Sequence, residues 1–239
     1  MKILITNDDG IRSPVLPVLA RWAQKLGDVT VVAPKVEQSG KSQAINICDA
    51  VEVKRVDIGE GIVAYSMDST PADCTRFGVL GLGVKYDLVI SGINRGYNLG
   101  DDIVYSGTVG AIYEASRLKI PGLAISTAPD TLMIAPKHLD AMYEYITSRD
   151  LYAYNGLYNV NIPAEVKGIR ITRQGGMFFS DGFEHRGGDM YIQVGAPIDR
   201  DDSDLAVDIS AIRGGYMSIT PLAQNRTDWG VFEKLHTPD

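Results

Sequence analysis

Two adjacent carboxylates, Asp8 and Asp9, follow directly on the apolar run Ile3-Leu4-Ile5-Thr6 and are closed by Gly10. Such a run reads as a buried strand, and acidic groups at its mouth are costly to desolvate unless positive charge sits beside them. A divalent cation supplies that charge. An ordinary Asp-Asp-Gly turn uses the same residue types, so the metal reading needs further donors. In a doubly wound sheet the loops after successive strands open on one edge. That edge would add Ser39, from Gln38-Ser39-Gly40, and Asn94, from Ser91-Gly92-Ile93-Asn94. Two carboxylates, a hydroxyl and an amide carbonyl form an all-oxygen set that suits Mg²⁺, Mn²⁺ or Ca²⁺. Turn chemistry alone would also account for Ser39 and Asn94. His138, His185 and His236 lie outside these loops, and Cys48 and Cys74 have no CxxC spacing. A thiolate zinc site is therefore not expected.

A second group of residues, Asn98-Leu99-Gly100-Asp101-Asp102, is followed by Ser106-Gly107-Thr108 at a predicted helix start. Free backbone N–H groups and the positive dipole end make such a start an anion site. The hydroxyls of Ser106 and Thr108 add donors, and Gly107 permits close approach. The plainer alternative is an N-cap serine with nothing bound. A cation beside an anion-binding helix start is what hydrolysis of a phosphate monoester requires. Asp101 and Asp102 could form a second metal site, but a structural role is preferred. Lys41 and Arg95 are the nearest basic residues, and solvated surface charge accounts for either. A dinucleotide site is not supported, because no G-x-G-x-x-G follows the first strand. A serine-hydrolase elbow, G-x-S-x-G, is also absent.

These residues need a scaffold. Ser13-Pro14 reads as the start of a helix whose face carries Val15, Val18, Leu19, Trp22, Ala23 and Leu26, with Pro17 in its first turn. Val29 to Ala33 is a second buried strand, Lys35 to Gln43 a polar loop, and Val51 to Val56 with Ile62 to Met67 a hairpin. Thr70-Pro71-Ala72-Asp73 resembles a capping box opening a helix through about Leu82. A strand over Asp87 to Ser91 leads into a long loop, Gly92 to Asp102. The Ser106 helix, a strand over Leu123 to Ser126, a helix over Pro136 to Thr147 and a strand over Asn159 to Ile162 follow. This alternation predicts an α/β fold: a Rossmann-like three-layer α/β/α sandwich with a mostly parallel sheet. From about Gly168 the rhythm changes to Gly-rich and aromatic pieces and an acidic cluster, Asp199 to Asp204. Residues 1–167 are therefore read as the catalytic core. Residues 168–239 are read as a C-terminal extension of hairpins and a short helix, used for oligomer contacts or as a lid.

At 239 residues the chain can bury a large core without disulfides, and 45% hydrophobic with 22% charged residues is ordinary for a globular protein. A net charge of -7 argues against a binder of nucleic-acid polymers. No apolar run is long enough to span a bilayer and no cleavable leader is evident, so no membrane association and a cytoplasmic location are expected.

The segments ILITNDDGI, VVAPKVEQSGKS, STPADCTRFG, DLVISGINRGYNLGDDIVYSGTVGA, NVNIP and GYMSITPL occur in this order. They resemble the signature blocks of the SurE-type stationary-phase survival nucleotidases. That resemblance implies that Asp8, Asp9, Ser39 and Asn94 hold one divalent metal, most readily Mg²⁺ or Mn²⁺, and that Asn98, Ser106, Gly107 and Thr108 bind the substrate phosphate. It implies a 5′-nucleotidase that hydrolyses nucleoside 5′-monophosphates, with 3′-nucleotides and short polyphosphate as further substrates, working as a homodimer or homotetramer. The chain departs from the family at Lys35-Val36-Glu37 and Arg12-Ser13-Pro14-Val15, which flank the site without replacing a ligand. Asp8 and Asp9 are the candidate catalytic residues. A metal-activated water with either as general base is preferred; direct attack by Asp8, giving a phosphoaspartate, is the rival. Familiar phosphoaspartyl sites space their acids as Asp-x-Asp, whereas these are adjacent. Two alternatives of other kinds remain: a calcium-dependent nucleoside hydrolase and a non-enzymatic nucleotide-binding regulator.

Overall fold

In a computed structural model, which describes residues 1–59, 61–198 and 203–236, the chain forms a nine-stranded mixed sheet with helices on both faces. The first strand, β1 (Lys2–Thr6), sets the plan. Ile3 and Ile5 join a core with α1 (Leu16–Gln24) on one face, while Leu4 joins the core on the other. A strand buried on both faces is characteristic of parallel sheets, where helices cover each side. β1 pairs in parallel with β2 (Asp28–Pro34) on one side. The hairpin β3 (Val53–Val56) and β4 (Val63–Met67) extends the sheet beyond β2. After α2 (Pro71–Arg76) the chain crosses back, and β5 (Leu88–Arg95) pairs in parallel with the other side of β1. The winding direction therefore reverses between β1 and β5, which is where ligands bind in open α/β sheets.

The remaining elements are α3 (Gly107–Arg117), β6 (Gly122–Thr127), α4 (Leu139–Ser148) and β7 (Leu157–Ile162). They are followed by β8 (Gly168–Ile171), β9 (Gly182–Gly187), β10 (Met190–Val194), α5 (Asp208–Arg213), β11 (Tyr216–Pro221) and α6 (Trp229–Leu235). The strand order is β3-β4-β2-β1-β5-β6-β7-β11-β8, with β9 and β10 paired to each other as a separate arm. Helices α1 and α4 pack on one face; α2 and α3 pack on the other.

Several boundaries differ from the sequence reading. Helix α1 begins at Leu16, because Ser13 and Pro14 form a preceding turn in which the Leu16 N–H donates to the Ser13 carbonyl. Pro17 then sits in the first turn, where its missing N–H costs nothing. Strand β5 runs on through Arg95, with a register shift between Ser91 and Asn94 against β6, so Asn94 lies at a strand end and not in the loop. Thr70 caps α2 by accepting from the Asp73 N–H, yet the Asp73 carboxylate accepts from Asn46 N and Ser69 Oγ, so the reciprocal half of the box is unmade. The helix gives way after Arg76 to a π-helical turn, Phe77–Gly81.

The division at residue 168 does not coincide with a break in the fold. Strand β11 pairs antiparallel to β7, and β8 pairs in parallel with β11, so both belong to the main sheet. What stands outside is the β9–β10 arm and α6. Of the acidic cluster, residues 199–202 lie outside the described residues.

Candidate functional site

The four predicted oxygen donors arrive from three strand ends. Asp8 and Asp9 leave β1, Ser39 follows β2, and Asn94 closes β5. The turn after β1 is self-contained: Asn7 Nδ2 donates to the Gly10 carbonyl, and the Gly10 N–H donates back to Asn7 Oδ1. Gly10 has φ +93°, and a Cβ there would meet the backbone of Val36 at 3.1 Å. Its freedom serves close packing against the loop after β2. Residues Asp8, Ser39, Gly40, Asn94, Asn98 and Ser106 line one cavity of about 190 Å³. Asp9 opens onto an adjoining cavity of about 280 Å³ with Arg12, Glu37 and Arg95.

The two carboxylates differ sharply. Asp8 is 4% exposed, and burial pushes its pKa up to about 6 against the hydrogen bonds it receives. Thr108 Oγ1 donates to Asp8 Oδ1 at 2.6 Å, and the Thr108 N–H donates to Oδ2 at 3.2 Å. Among the described residues no Lys, Arg or His forms an ion pair with Asp8. Asp9 is half-buried; burial raises its pKa, while the Arg95 backbone N–H, donating to Oδ2 at 3.2 Å, works the other way. A buried carboxylate with hydrogen bonds and no counter-charge among the described residues is a group that a cation would stabilise.

The neutral donors fit the same description. Asn94 Nδ2 donates to the Gly96 carbonyl at 2.8 Å, which leaves its side-chain oxygen as the end available to a cation. The Ser39 hydroxyl donates to Glu37 Oε1 at 2.7 Å and retains lone pairs. Among the described residues no cluster of three or more His, Cys, Asp or Glu side chains could hold a metal, so the candidate set has two acidic members and no more.

The predicted phosphate-binding residues separate into two groups. Ser106 and Asn98 line the cavity with Asp8; Gly107 and Thr108 do not. Ser106 is the N-cap of α3, its Oγ accepting from the Val109 N–H at 3.1 Å, so its own proton remains to be donated. Thr108 is committed to Asp8. A Cβ on Gly107 would lie 3.0 Å from Asp8 Cβ, so this glycine lets α3 approach the carboxylate.

Asn98 is fixed by residues that sequence reasoning left without a role. Its N–H donates to Asn161 Oδ1 and its Nδ2 donates to Ser126 Oγ. Its carbonyl accepts from both Asn159 Nδ2 and Asn161 Nδ2. Two asparagines in the wholly buried strand β7 were the available signal, since a buried strand keeps amides only where they have partners. Asp208 is a second such residue. It accepts from the N–H groups of Gly100, Gly175 and Ile209, and burial raises its pKa. Asp102 accepts from the N–H groups of Phe178 and Phe179, and Asp101 Oδ1 accepts from Gln174 Nε2. The two loop aspartates thus tie the 96–106 segment to the root of the arm, the structural role preferred from sequence.

The chain resembles known proteins over nearly its whole length. The family model described as "Survival protein SurE" matches residues 3–181. A protein of Thermosipho africanus named 5′-nucleotidase SurE is 39% identical, covering 98% of this chain and 96% of its own length. One of the same name from Legionella pneumophila is 36% identical with the same coverage. The crystal structure of the Sure protein from Aquifex aeolicus superposes with a TM-score of 0.76 at 29% identity, covering 98% of each chain. Among the described residues no helix is long and apolar enough to cross a membrane.

Proposed function

The chain belongs to the SurE family, and on that premise we propose that it is a divalent-metal-dependent phosphomonoesterase that hydrolyses nucleoside 5′-monophosphates to nucleoside and phosphate. The observation that carries the proposal is Asp8: a buried carboxylate with no ion pair among the described residues, at the topological switch point, beside the capped start of α3. Relatives named 5′-nucleotidase support the substrate class.

In this reading Asp8, Asp9, Ser39 and Asn94 hold one Mg²⁺ or Mn²⁺. When bound, such a cation polarises a phosphoryl oxygen and lowers the pKa of water. The protein supplies the rest. Thr108 orients Asp8 through both carboxylate oxygens, which favours a fixed ligand over an attacking nucleophile. The Ser106 hydroxyl, one amide hydrogen of Asn98 and the Arg95 side chain, which line the same cavity, are donors for phosphate oxygens at the dipole end of α3. Asp9, half-buried and not bonded to Thr108, is the freer carboxylate and serves as the base.

The test is incubation with AMP and Mn²⁺, with inorganic phosphate and free base both measured. Phosphate is expected, lost with EDTA and restored by Mg²⁺ or Mn²⁺. Free base would identify a nucleoside hydrolase, and neither product a nucleotide-binding regulator. 3′-AMP and short polyphosphate belong in the same assay. We further assign the protein to homodimers or homotetramers assembled through the exposed aromatic side chains of the arm.

A further inference from the structure

Asn98 brings an amide donor to the Asp8 cavity, yet it lies in a loop, outside any helix or strand. Its orientation is set from the sheet beneath it. We propose that Asn161 and Ser126 are positioning residues for the substrate phosphate, holding the backbone and the side chain of Asn98 so that one amide hydrogen faces the anion; this rests on the nucleotidase reading. Asn161 Oδ1 accepts from the Asn98 N–H at 2.9 Å, and Asn161 Nδ2 donates to the Asn98 carbonyl at 2.8 Å. One side-chain amide thus pairs with both backbone groups of a single residue, which a carboxylate of the same size cannot do. Ser126 Oγ accepts from Asn98 Nδ2 at 2.7 Å, which fixes the turn of that amide and leaves its second hydrogen to be donated.

The two grips are in register. Ser126 on β6 and Asn161 on β7 are Cα partners, and Asn94 on β5 is the partner of Ser126 on its other side. A candidate metal donor and the two holders of the phosphate donor therefore occupy one row across three strands. The sheet itself sets the spacing between cation and anion. Ser126, Asn159 and Asn161 are wholly buried, and buried amides cost stability unless they are bonded. Asn159 bears part of that cost: its Nδ2 donates to the Asn98 carbonyl at 2.9 Å, while its Oδ1 has no protein partner among the described residues. Core filling alone is better served by apolar side chains at these positions. The amides are explained by what they hold.

The experiment is isothermal titration of the full-length protein with Mn²⁺, and of the Mn²⁺-saturated protein with inorganic phosphate, alongside kcat and KM for AMP. Asn161→Asp keeps the size and the acceptor and loses the donor to the Asn98 carbonyl. It should weaken phosphate about tenfold and raise KM for AMP by a like factor, the worth of one hydrogen bond to a charged group. Mn²⁺ affinity should stay within about twofold, as for an independent site. Made on Asn98→Ala, the same substitution should cost phosphate nothing more, because it acts only through the Asn98 side chain. Ser126→Ala should behave alike, and it carries the test if Asn161→Asp does not fold by circular dichroism. A purely structural role predicts losses that add in the double variant, or that fall on metal and phosphate together. Either result would overturn the assignment, as would unchanged phosphate affinity in the folded variant. If Asn98→Ala itself leaves phosphate and AMP unaffected while AMP is hydrolysed, the assignment fails and the nucleotidase reading stands. A wild type that neither binds phosphate nor hydrolyses AMP removes both.

Discussion

The edge of the sheet between β1 and β5 and the β9–β10 arm are built on opposite terms. At the sheet edge, backbone and side chains are buried and bonded: Asp8 receives two hydrogen bonds from Thr108, and Asn98 sits in a net of Asn159, Asn161 and Ser126. In the arm, two strands pair with each other and expose Phe183 at 73% and Tyr191 at 64%, with Met190 and Ile192 beside them. A two-stranded hairpin is marginal alone, and an exposed apolar surface of this kind is what an interface covers. Charge demands a rigid setting that is paid for by the whole sheet, whereas assembly needs only a surface that water disfavours. The two regions meet at Asp102.

The largest effect should fall on the rigid side. Asp8→Asn and Asp9→Asn are each expected to lower kcat by about 10²-fold or more, and Ser39→Ala by much less, because water replaces a neutral ligand more readily than a charged one. Steady-state kinetics on AMP, with circular dichroism to check the fold, decides this; undiminished turnover in Asp8→Asn would place the chemistry elsewhere.

Next in size is Gly107→Val. Because its side chain would be driven against Asp8, metal and phosphate affinity should fall together. Isothermal titration of Mn²⁺ and of phosphate reads both; a variant that loses phosphate alone would show that Gly107 faces the anion and not the carboxylate.

A smaller effect concerns pH. The Asp8 pKa of about 6 lies above the ordinary 3.8, so folding without metal favours the protonated acid. Its contribution is fully present below about pH 4 and is lost as pH rises through 6, up to about 3 kcal/mol. Metal-free wild type should therefore lose stability between pH 5 and pH 7.5 relative to Asp8→Asn, and Mn²⁺ should reverse the loss. Thermal unfolding with and without metal measures it, and a metal-free wild type that gains stability over that interval would contradict the buried, uncompensated state of Asp8.

The smallest effect on catalysis belongs to the arm. Phe183→Ser with Tyr191→Ser should shift the protein toward monomer in light scattering while turnover per subunit stays within about twofold. A 26.0 kDa wild-type monomer at micromolar concentration would remove the interface altogether. Truncation before Gly168 is unsuited to this question, because it also removes β8 and β11 from the sheet.

The parts of this molecule that were legible in sequence are those set by neighbours along the chain. Ile3 to Thr6 announce a buried strand, Ser106 a cap, and Asp8-Asp9 a charge problem at a strand mouth. The illegible parts depend on distant partners. Thr108 reads in sequence as an anion donor, and only the fold shows that its hydroxyl also meets Asp8, 100 residues earlier. Asp208 bonds the Gly100 N–H across 108 residues, and Asn161 bonds Asn98 across 63. The change of rhythm at Gly168 was real, but local composition could not disclose that Tyr216 to Pro221 returns to pair with β7.

The central place of β1 also has a bearing on how the protein is made. Its left neighbour is residues 28–34, but its right neighbour is residues 88–95, and the threonine that grips Asp8 lies later still. At ordinary ribosomal speeds roughly 100 residues take about 5–20 s to synthesise. Through that interval β1 lacks its β5 partner and Asp8 lacks the Thr108 donors. The burial of Asp8 waits for the middle of the chain to emerge.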